Sequence, residues 1–326
     1  MPRAAGWNVR ERRLSFYLFL SPWLLGFLLF WVFPLLWGFR VSLTNRTLFT
    51  ARAAFVGLRN YLALAGDPAI RYSFLTTFIY TLCSTALSIG LGLVLALLLE
   101  RSLPGRAGFR TLFYFPCLIP DIAVGWIFRI FLERDSGLFN IVLGKLGLIR
   151  LNVNWLTLLP RGTLISLSAW QAGWAMLILL GGLATIPEEL GEAARIDGAT
   201  YTQRLRHITL PLLTPFVLFL AVTGIINAMQ VFLLPYILSP FPQYGPYLFD
   251  RGLPRETNFV MSRAFFVTIS NTRFAYGLAL MWLLFLSLLA FTFLFLKLSR
   301  LWVYEEAAGA VWRSPTPSAR RPAGRR

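Results

Sequence analysis

The sequence predicts an all-α polytopic membrane protein with six transmembrane helices, and three observations carry that prediction. Hydrophobic residues make up 57% of the 326 and charged residues only 14%, against roughly 25% charged in an ordinary soluble domain. The mean hydropathy is +0.64, more apolar surface than a soluble fold has charge to cover. Six apolar runs each supply the ~20 residues that a bilayer core requires, at about 14–39, 72–99, 109–132, 163–186, 212–238 and 275–298.

Taken in order, residues 1–13 are short and basic, with Arg3, Arg10, Arg12 and Arg13. The first run exceeds the about 7–15 apolar residues of a secretory signal and ends in Trp37-Gly38-Phe39-Arg40, so it reads as an uncleaved first span. In the second, Gly90 and Gly92 suit close helix packing in lipid. In the third, Pro116 and Pro120 predict a kink. Asp121 and Arg129 lie in that same span, eight residues apart and on one face, where charge is costly unless it meets a partner or cavity. A structural role is expected for both. The long polar loop 187–211 separates the fourth and fifth spans. Residues 301–326 turn to Pro, Ser, Ala and Arg, a basic tail expected to be disordered.

Charge orients the chain and excludes several classes. The net charge is +17, and 29 of the 31 basic residues are arginine, distributed between apolar runs. That distribution fits basic side chains at membrane interfaces, and no nucleic-acid-binding pattern accompanies it. Arg101, Arg106 and Arg110 in the short loop after the second span, with the N-terminal arginines, place both termini in the cytoplasm by the positive-inside rule. The outer loops are then 40–71, 133–162 and 239–274. Cys83 and Cys117 lie in apolar runs and read as buried small hydrophobes. His207 is the only histidine and reads as an interfacial surface residue, so no metal site is expected. Gly144-Lys145-Leu146 is no P-loop, since the hydroxyl that holds Mg²⁺ is missing. The chain is therefore not expected to cradle ATP phosphates itself.

The stretch from Ile186 to Pro215 is polar between two apolar runs and holds four of the fourteen carboxylates. Pro187 suits a first helical turn, and Glu188 and Glu189 complement the helix dipole there. Leu190, Ala193, Ala194 and Asp197 share a face by i, i+3, i+4 spacing. Gly198 falls at the expected stop, and Thr200-Tyr201-Thr202-Gln203 has capping-box spacing. An ordinary helical hairpin accounts for most of this, but not for a small-residue face flanked by carboxylates.

Glu192-Ala193-Ala194, three residues, Gly198, nine residues and Ile208-x-Leu210-Pro211 match the EAA motif of ABC importer permeases at each defined position. The flanking wording, Ile186-Pro187-Glu188-Glu189-Leu190 and Ala194-Arg195-Ile196-Asp197-Gly198-Ala199, resembles the carbohydrate-uptake branch. So do Phe33-Pro34-Leu35, Phe55-Val56-Gly57-Leu58-Arg59-Asn60-Tyr61, Phe109–Pro116 and Gln230-Val231-Phe232, and the likeness covers about 14–300. Glu306-Ala307-Ala308-Gly309 repeats the tripeptide without the spacing and is assigned no role. The segments Pro240–Pro246 and Arg255-Glu256-Thr257 depart from the branch's usual outer loop.

This resemblance implies the type I ABC importer permease fold, in the cell membrane of a prokaryote. It implies a cytoplasmic ATPase dimer that binds ATP and Mg²⁺ (this chain binding no cofactor itself), a second permease forming a heterodimer, and an extracytoplasmic solute-binding protein. The cargo it implies is a sugar, oligosaccharide, polyol or glycerol phosphate. Glu192, Ala193, Ala194, Asp197, Gly198, Ile208, Leu210 and Pro211 would then couple to the ATPase. For a substrate path, the polar residues at helical spacing inside spans are Gln171 with Trp174 and Asn227 with Gln230. Interhelical hydrogen bonding, about 0.6–2 kcal/mol each, accounts for them equally well. The rival class is an ion-coupled secondary transporter, expected to show repeated halves with broken helices and functional membrane carboxylates. An intramembrane enzyme lacks a catalytic constellation.

Overall fold

A computed structural model describes residues 9–50, 53–101, 104–149, 153–238, 258–269 and 271–304, with side chains from residue 15 onward. The N-terminal octapeptide, Pro240–Pro246, Arg255-Glu256-Thr257 and Glu306–Gly309 lie outside the described residues. Among those described, the regular elements are helices. Four unbroken helices are long and apolar enough to cross a bilayer: Ser15–Ser42, Pro68–Glu100, Tyr201–Met229 and Phe274–Ser299. Two bent pairs, Arg106–Leu118 with Asp121–Phe131 and Pro160–Trp170 with Gly173–Leu183, bring the number to six where each pair is one span.

Each interruption has a local cause. Phe115–Leu118 is a 3₁₀ turn that contains Pro116 and is followed by Pro120, whose rings and missing N–H groups interrupt an α-helix. Helix Tyr201–Met229 closes with the amides of Gln230 and Val231 donating to the carbonyls of Asn227 and Ala228 at 3.2 and 3.3 Å. Pro235 lies six residues on, where a continuous helix would set its ring against the carbonyl of Val231. The chain restarts as Leu233–Leu238 with that proline in its first turn. Two π turns, Leu28–Val32 and Leu205–Thr209, each end two residues before a proline, Pro34 and Pro211. The wider turn moves the carbonyl four residues back out of the proline ring's way.

The chain forms two compact units. The first comprises Met1–Cys83, Ile119–Leu167 and Asn227–Phe291. Tyr80, Leu164, Leu167, Leu238 and Phe259 form its buried apolar cluster, and Ser73, Thr76 and Thr77 are buried beside it. The Val260 amide donates to Thr77 Oγ1 at 3.0 Å, so one threonine receives the first turn of helix Val260–Ile269. Asn140 is buried at 1% exposure. Its amide nitrogen donates to the carbonyls of Arg134 and Val153 at 3.0 and 2.8 Å, and its oxygen accepts from Trp155 Nε1 at 2.6 Å. A buried amide with its polar atoms occupied fixes the loop around it. Arg129 Nη1 donates to the carbonyl of Ile237 at 2.8 Å, and its guanidinium lies 5.4 Å from the centroid of Trp126. The arginine thus closes the end of helix Leu233–Leu238. Asp121 opens helix Asp121–Phe131, where a carboxylate faces the positive end of the dipole.

The second unit comprises Ser84–Leu118, Ser168–Ile226 and Thr292–Arg326. Its core joins Ala96, Leu99, Ala175, Met176, Leu179, Leu180, Leu183, Leu213 and Leu220. Gly92 permits this packing: a Cβ there would come to 2.5 Å of Ala175 Cβ. Gly90 has nothing within 4 Å of that position, so only one of the two glycines expected to pack closely does so. Cys83 is exposed and Cys117 only half-buried, which corrects their reading as buried hydrophobes. Helix Ser15–Ser42 buries none of its most apolar window; Phe19 is 81% and Phe30 77% exposed, surface that lipid covers and water would not.

Candidate functional site

The polar stretch folds as a helix, a turn and a second helix. Helix Glu188–Ile196 is preceded by Pro187, whose backbone is extended, so the proline stands just before the first turn and not within it. Glu188 and Glu189 occupy the first turn and Arg195 the last, each complementing the helix dipole. At the far end the amide of Ala199 donates to the carbonyl of Ala194 at 2.9 Å, and that of Gly198 to Arg195 at 3.0 Å. This pair of bonds is a Schellman motif. It requires a left-handed residue at its centre, and Gly198 has φ +77°.

Thr200 then caps the next helix. Its hydroxyl accepts from the Gln203 amide, while its own amide donates to Gln203 Oε1 at 2.7 Å, completing the capping box. His207 Nδ1 lies 3.0 Å from the carbonyl of Gln203, on the exposed surface. Ile208 lies within the π turn, and Leu210 and Pro211 begin the α-helical continuation. Thr214 Oγ1 donates to the carbonyl of Pro211 at 2.6 Å and accepts from the Tyr304 amide at 2.8 Å. The end of the loop is thereby tied to the segment after the last long helix.

None of the nine residues of helix Glu188–Ile196 is buried. Glu192, Ala193, Asp197 and Gly198 are exposed, Ala194 is intermediate, and Ile196 is 87% exposed. Ile208, Leu210 and Pro211 are partly buried. The motif therefore divides into an exposed helix and a half-buried base.

The substrate-path candidates lie at helix breaks. Gln171 occupies the turn between Trp170 and Gly173, where its carbonyl accepts from the Cys117 thiol at 3.3 Å and the Trp174 amide at 3.4 Å. Just after the break, Gly173 allows a close approach to the Phe113 carbonyl, which a Cβ there would overlap. Trp174 is half exposed. Asn227 is in the last turn of its helix, and Gln230 lies beyond the helix end, both exposed. Gln230 therefore does not share a helical face with Asn227, as spacing alone suggested, because the helix ends at Met229. Gln171 and Trp174 belong to the second unit, Asn227 and Gln230 to the first. Sequence reading missed Arg101, whose guanidinium lies 5.1 Å from the Tyr201 ring centroid, since no local spacing connects residues a hundred positions apart.

Interrupted apolar helices joined to an exposed polar helix describe a multi-pass membrane protein. Residues 88–301 match the family of binding-protein-dependent transport system inner membrane components, and the chain belongs to it. It is 34% identical over 305 residues to the probable ABC transporter permease protein YesP of Bacillus subtilis, covering 92% of this chain and 95% of that one. It is 33% identical over 299 residues to the trehalose/maltose transport system permease protein MalF of Thermococcus litoralis, covering 89% and 95%. Its fold matches a bacterial alginate ABC transporter crystallised in complex with an alginate pentasaccharide-bound periplasmic protein, with TM-score 0.75 at 22% identity over 91% of this chain and 98% of that one. The chain is thus a multi-pass ABC importer permease, a transport subunit whose ATP hydrolysis is done by a separate subunit. Broken helices do not make it an ion-coupled carrier.

Proposed function

We propose that this permease imports a sugar or related polyhydroxylated solute, such as an oligosaccharide, polyol or glycerol phosphate, delivered by an extracytoplasmic binding protein. Loop 187–211 meets the ATPase subunit. The observation that carries the coupling role is that helix Glu188–Ile196 buries none of its residues between two well-fixed ends. An apolar residue as exposed as Ile196, beside Ala193 and Ala194, is surface for a partner. Glu192 supplies a charge-assisted acceptor. ATP-driven closure of the ATPase dimer then moves this helix as a rigid body, and the half-buried base passes the movement to the long helices.

The cargo class is supported by the relatives, whose names include transporters of trehalose/maltose, arabinooligosaccharides and sulfoquinovosyl glycerol. Gln171 with Trp174, and separately Asn227 with Gln230, are the candidates for touching it, since amides beside an indole ring suit neutral hydroxyl-rich ligands. The working assembly has an ATPase dimer, a second permease, making a heterodimer, and the binding protein, in the cell membrane of a prokaryote with both termini cytoplasmic. Domain limits follow: a basic N-terminus 1–13, a permease domain 14–300 and a basic tail 301–326.

The test is co-expression with the neighbouring binding-protein, permease and ATPase genes, followed by uptake into proteoliposomes. Saturable, ATP-dependent uptake of one oligosaccharide from a panel of neutral and acidic sugars is the expected result. A binding protein that retains peptides or amino acids and no carbohydrate would overturn the cargo assignment.

A further inference from the structure

We infer that Arg101 and Tyr201 form a positioning clamp that passes the movement of the coupling loop to helix Pro68–Glu100. This rests on the reading of loop 187–211 as the ATPase contact. Arg101 directly follows the last residue of that helix, and its guanidinium sits 5.1 Å from the Tyr201 ring centroid. Neither side is free to drift. Ala96 and Leu99, just before Arg101, lie in the buried cluster with Leu179, Leu183 and Leu213. Tyr201 opens its helix immediately after Thr200, whose capping box with Gln203 fixes that first turn, and Gly198 stands only three residues earlier. The clamp therefore joins the base of the exposed loop to a helix that the loop's own sequence does not reach.

The contact is exposed, Tyr201 at 45%, so the fold does not depend on it; the Leu179–Leu213 cluster holds the unit together without it. A contact that contributes little to folding but spans the moving loop and a long helix acts on transmission. A cation over an exposed aromatic face favours the engaged arrangement by about two- to fivefold, which sets the size of the effect.

The experiment measures solute uptake and ATP hydrolysis by the full complex in proteoliposomes. Variants are Arg101→Gln, Tyr201→Ala, Tyr201→Phe and the double Arg101→Gln/Tyr201→Ala, with Gly198→Asp as the control for the loop itself. Expected are normal membrane abundance, normal retention of the ATPase subunit, and a two- to fivefold fall in solute moved per ATP for Arg101→Gln and Tyr201→Ala. Tyr201→Phe keeps the ring face and restores the ratio, and the double variant is no worse than either single. An unchanged ratio in Arg101→Gln, or losses that multiply in the double variant, overturns the clamp while Gly198→Asp still lowers uptake. Full uptake by Gly198→Asp would instead remove the coupling reading on which the clamp rests.

Discussion

The amide of Ala199 donates to the carbonyl of Ala194 across Gly198, and this bond ends the exposed helix at a fixed angle. Only a left-handed residue closes it. An L side chain at φ +77° costs about 1–2 kcal/mol, so Gly198→Val should loosen the turn without unfolding a membrane domain held by its own core. The expected outcome is normal membrane abundance, with faster amide exchange at Gly198 to Thr200 and weaker solute uptake. Unchanged exchange in the variant would show that the turn is not set by this glycine.

Gly92 and Gly90 make an internal comparison. Adding a methyl at Gly92 brings two Cβ atoms to 2.5 Å and must displace helix Gly173–Leu183, an overpacking worth about 1–3 kcal/mol. At Gly90 the same methyl meets nothing within 4 Å and gains up to about 1 kcal/mol of helix propensity. Thermal unfolding in detergent should fall for Gly92→Ala and hold or rise for Gly90→Ala.

Arg129 should behave as a structural cation. Its bond to the Ile237 carbonyl is charge-assisted, a class worth about 1.5–3 kcal/mol. Arg129→Met is expected to lower the unfolding temperature while leaving the cargo affinity of the transporter unchanged. A shift in cargo affinity without a loss of stability would place this arginine on the substrate path instead.

The loop after helix Asp121–Phe131 carries a pH dependence. The Ser136 hydroxyl and then its amide donate to Glu133 Oε2 at 2.5 and 2.7 Å, and together they hold the Glu133 carboxyl below its usual value. Because the folded-state value is depressed, the turn is supported above the ordinary carboxylate range and loses that support as pH falls through the lowered value. The protection of the Ser136 amide, measured as its exchange rate against the intrinsic rate at the same pH, should fall on acidification. In Glu133→Gln that protection should not change with pH.

Much of the coupling stretch was legible because its signals are local. The capping box of Thr200 and Gln203 and the stop at Gly198 each depend on residues within a few positions, and both form as spacing predicts. The membrane helices were legible in composition and less so in course. A hydropathy run reports that 212–238 is apolar, but not that the helix ends at Met229 and restarts at Leu233. It does not report the bend between Trp170 and Gly173, nor the close approach of Gly173 to the Phe113 carbonyl. Helix Val260–Ile269 was read as part of a loop because ten residues are too few to register as a span. The Arg101–Tyr201 contact and the three segments gathered by Asn140 depend on long-range packing, which periodicity does not encode.

Helix Glu188–Ile196 is proposed to transmit the work of a separate ATPase. Glu192→Lys tests it most directly, because the side chain is exposed and its change leaves the core untouched. With the complete transporter in proteoliposomes, ATP hydrolysis and uptake are measured on the same preparation. Wild-type membrane abundance, continued ATP hydrolysis and solute uptake reduced at least tenfold are the expected results. Undiminished uptake by Glu192→Lys would contradict this role.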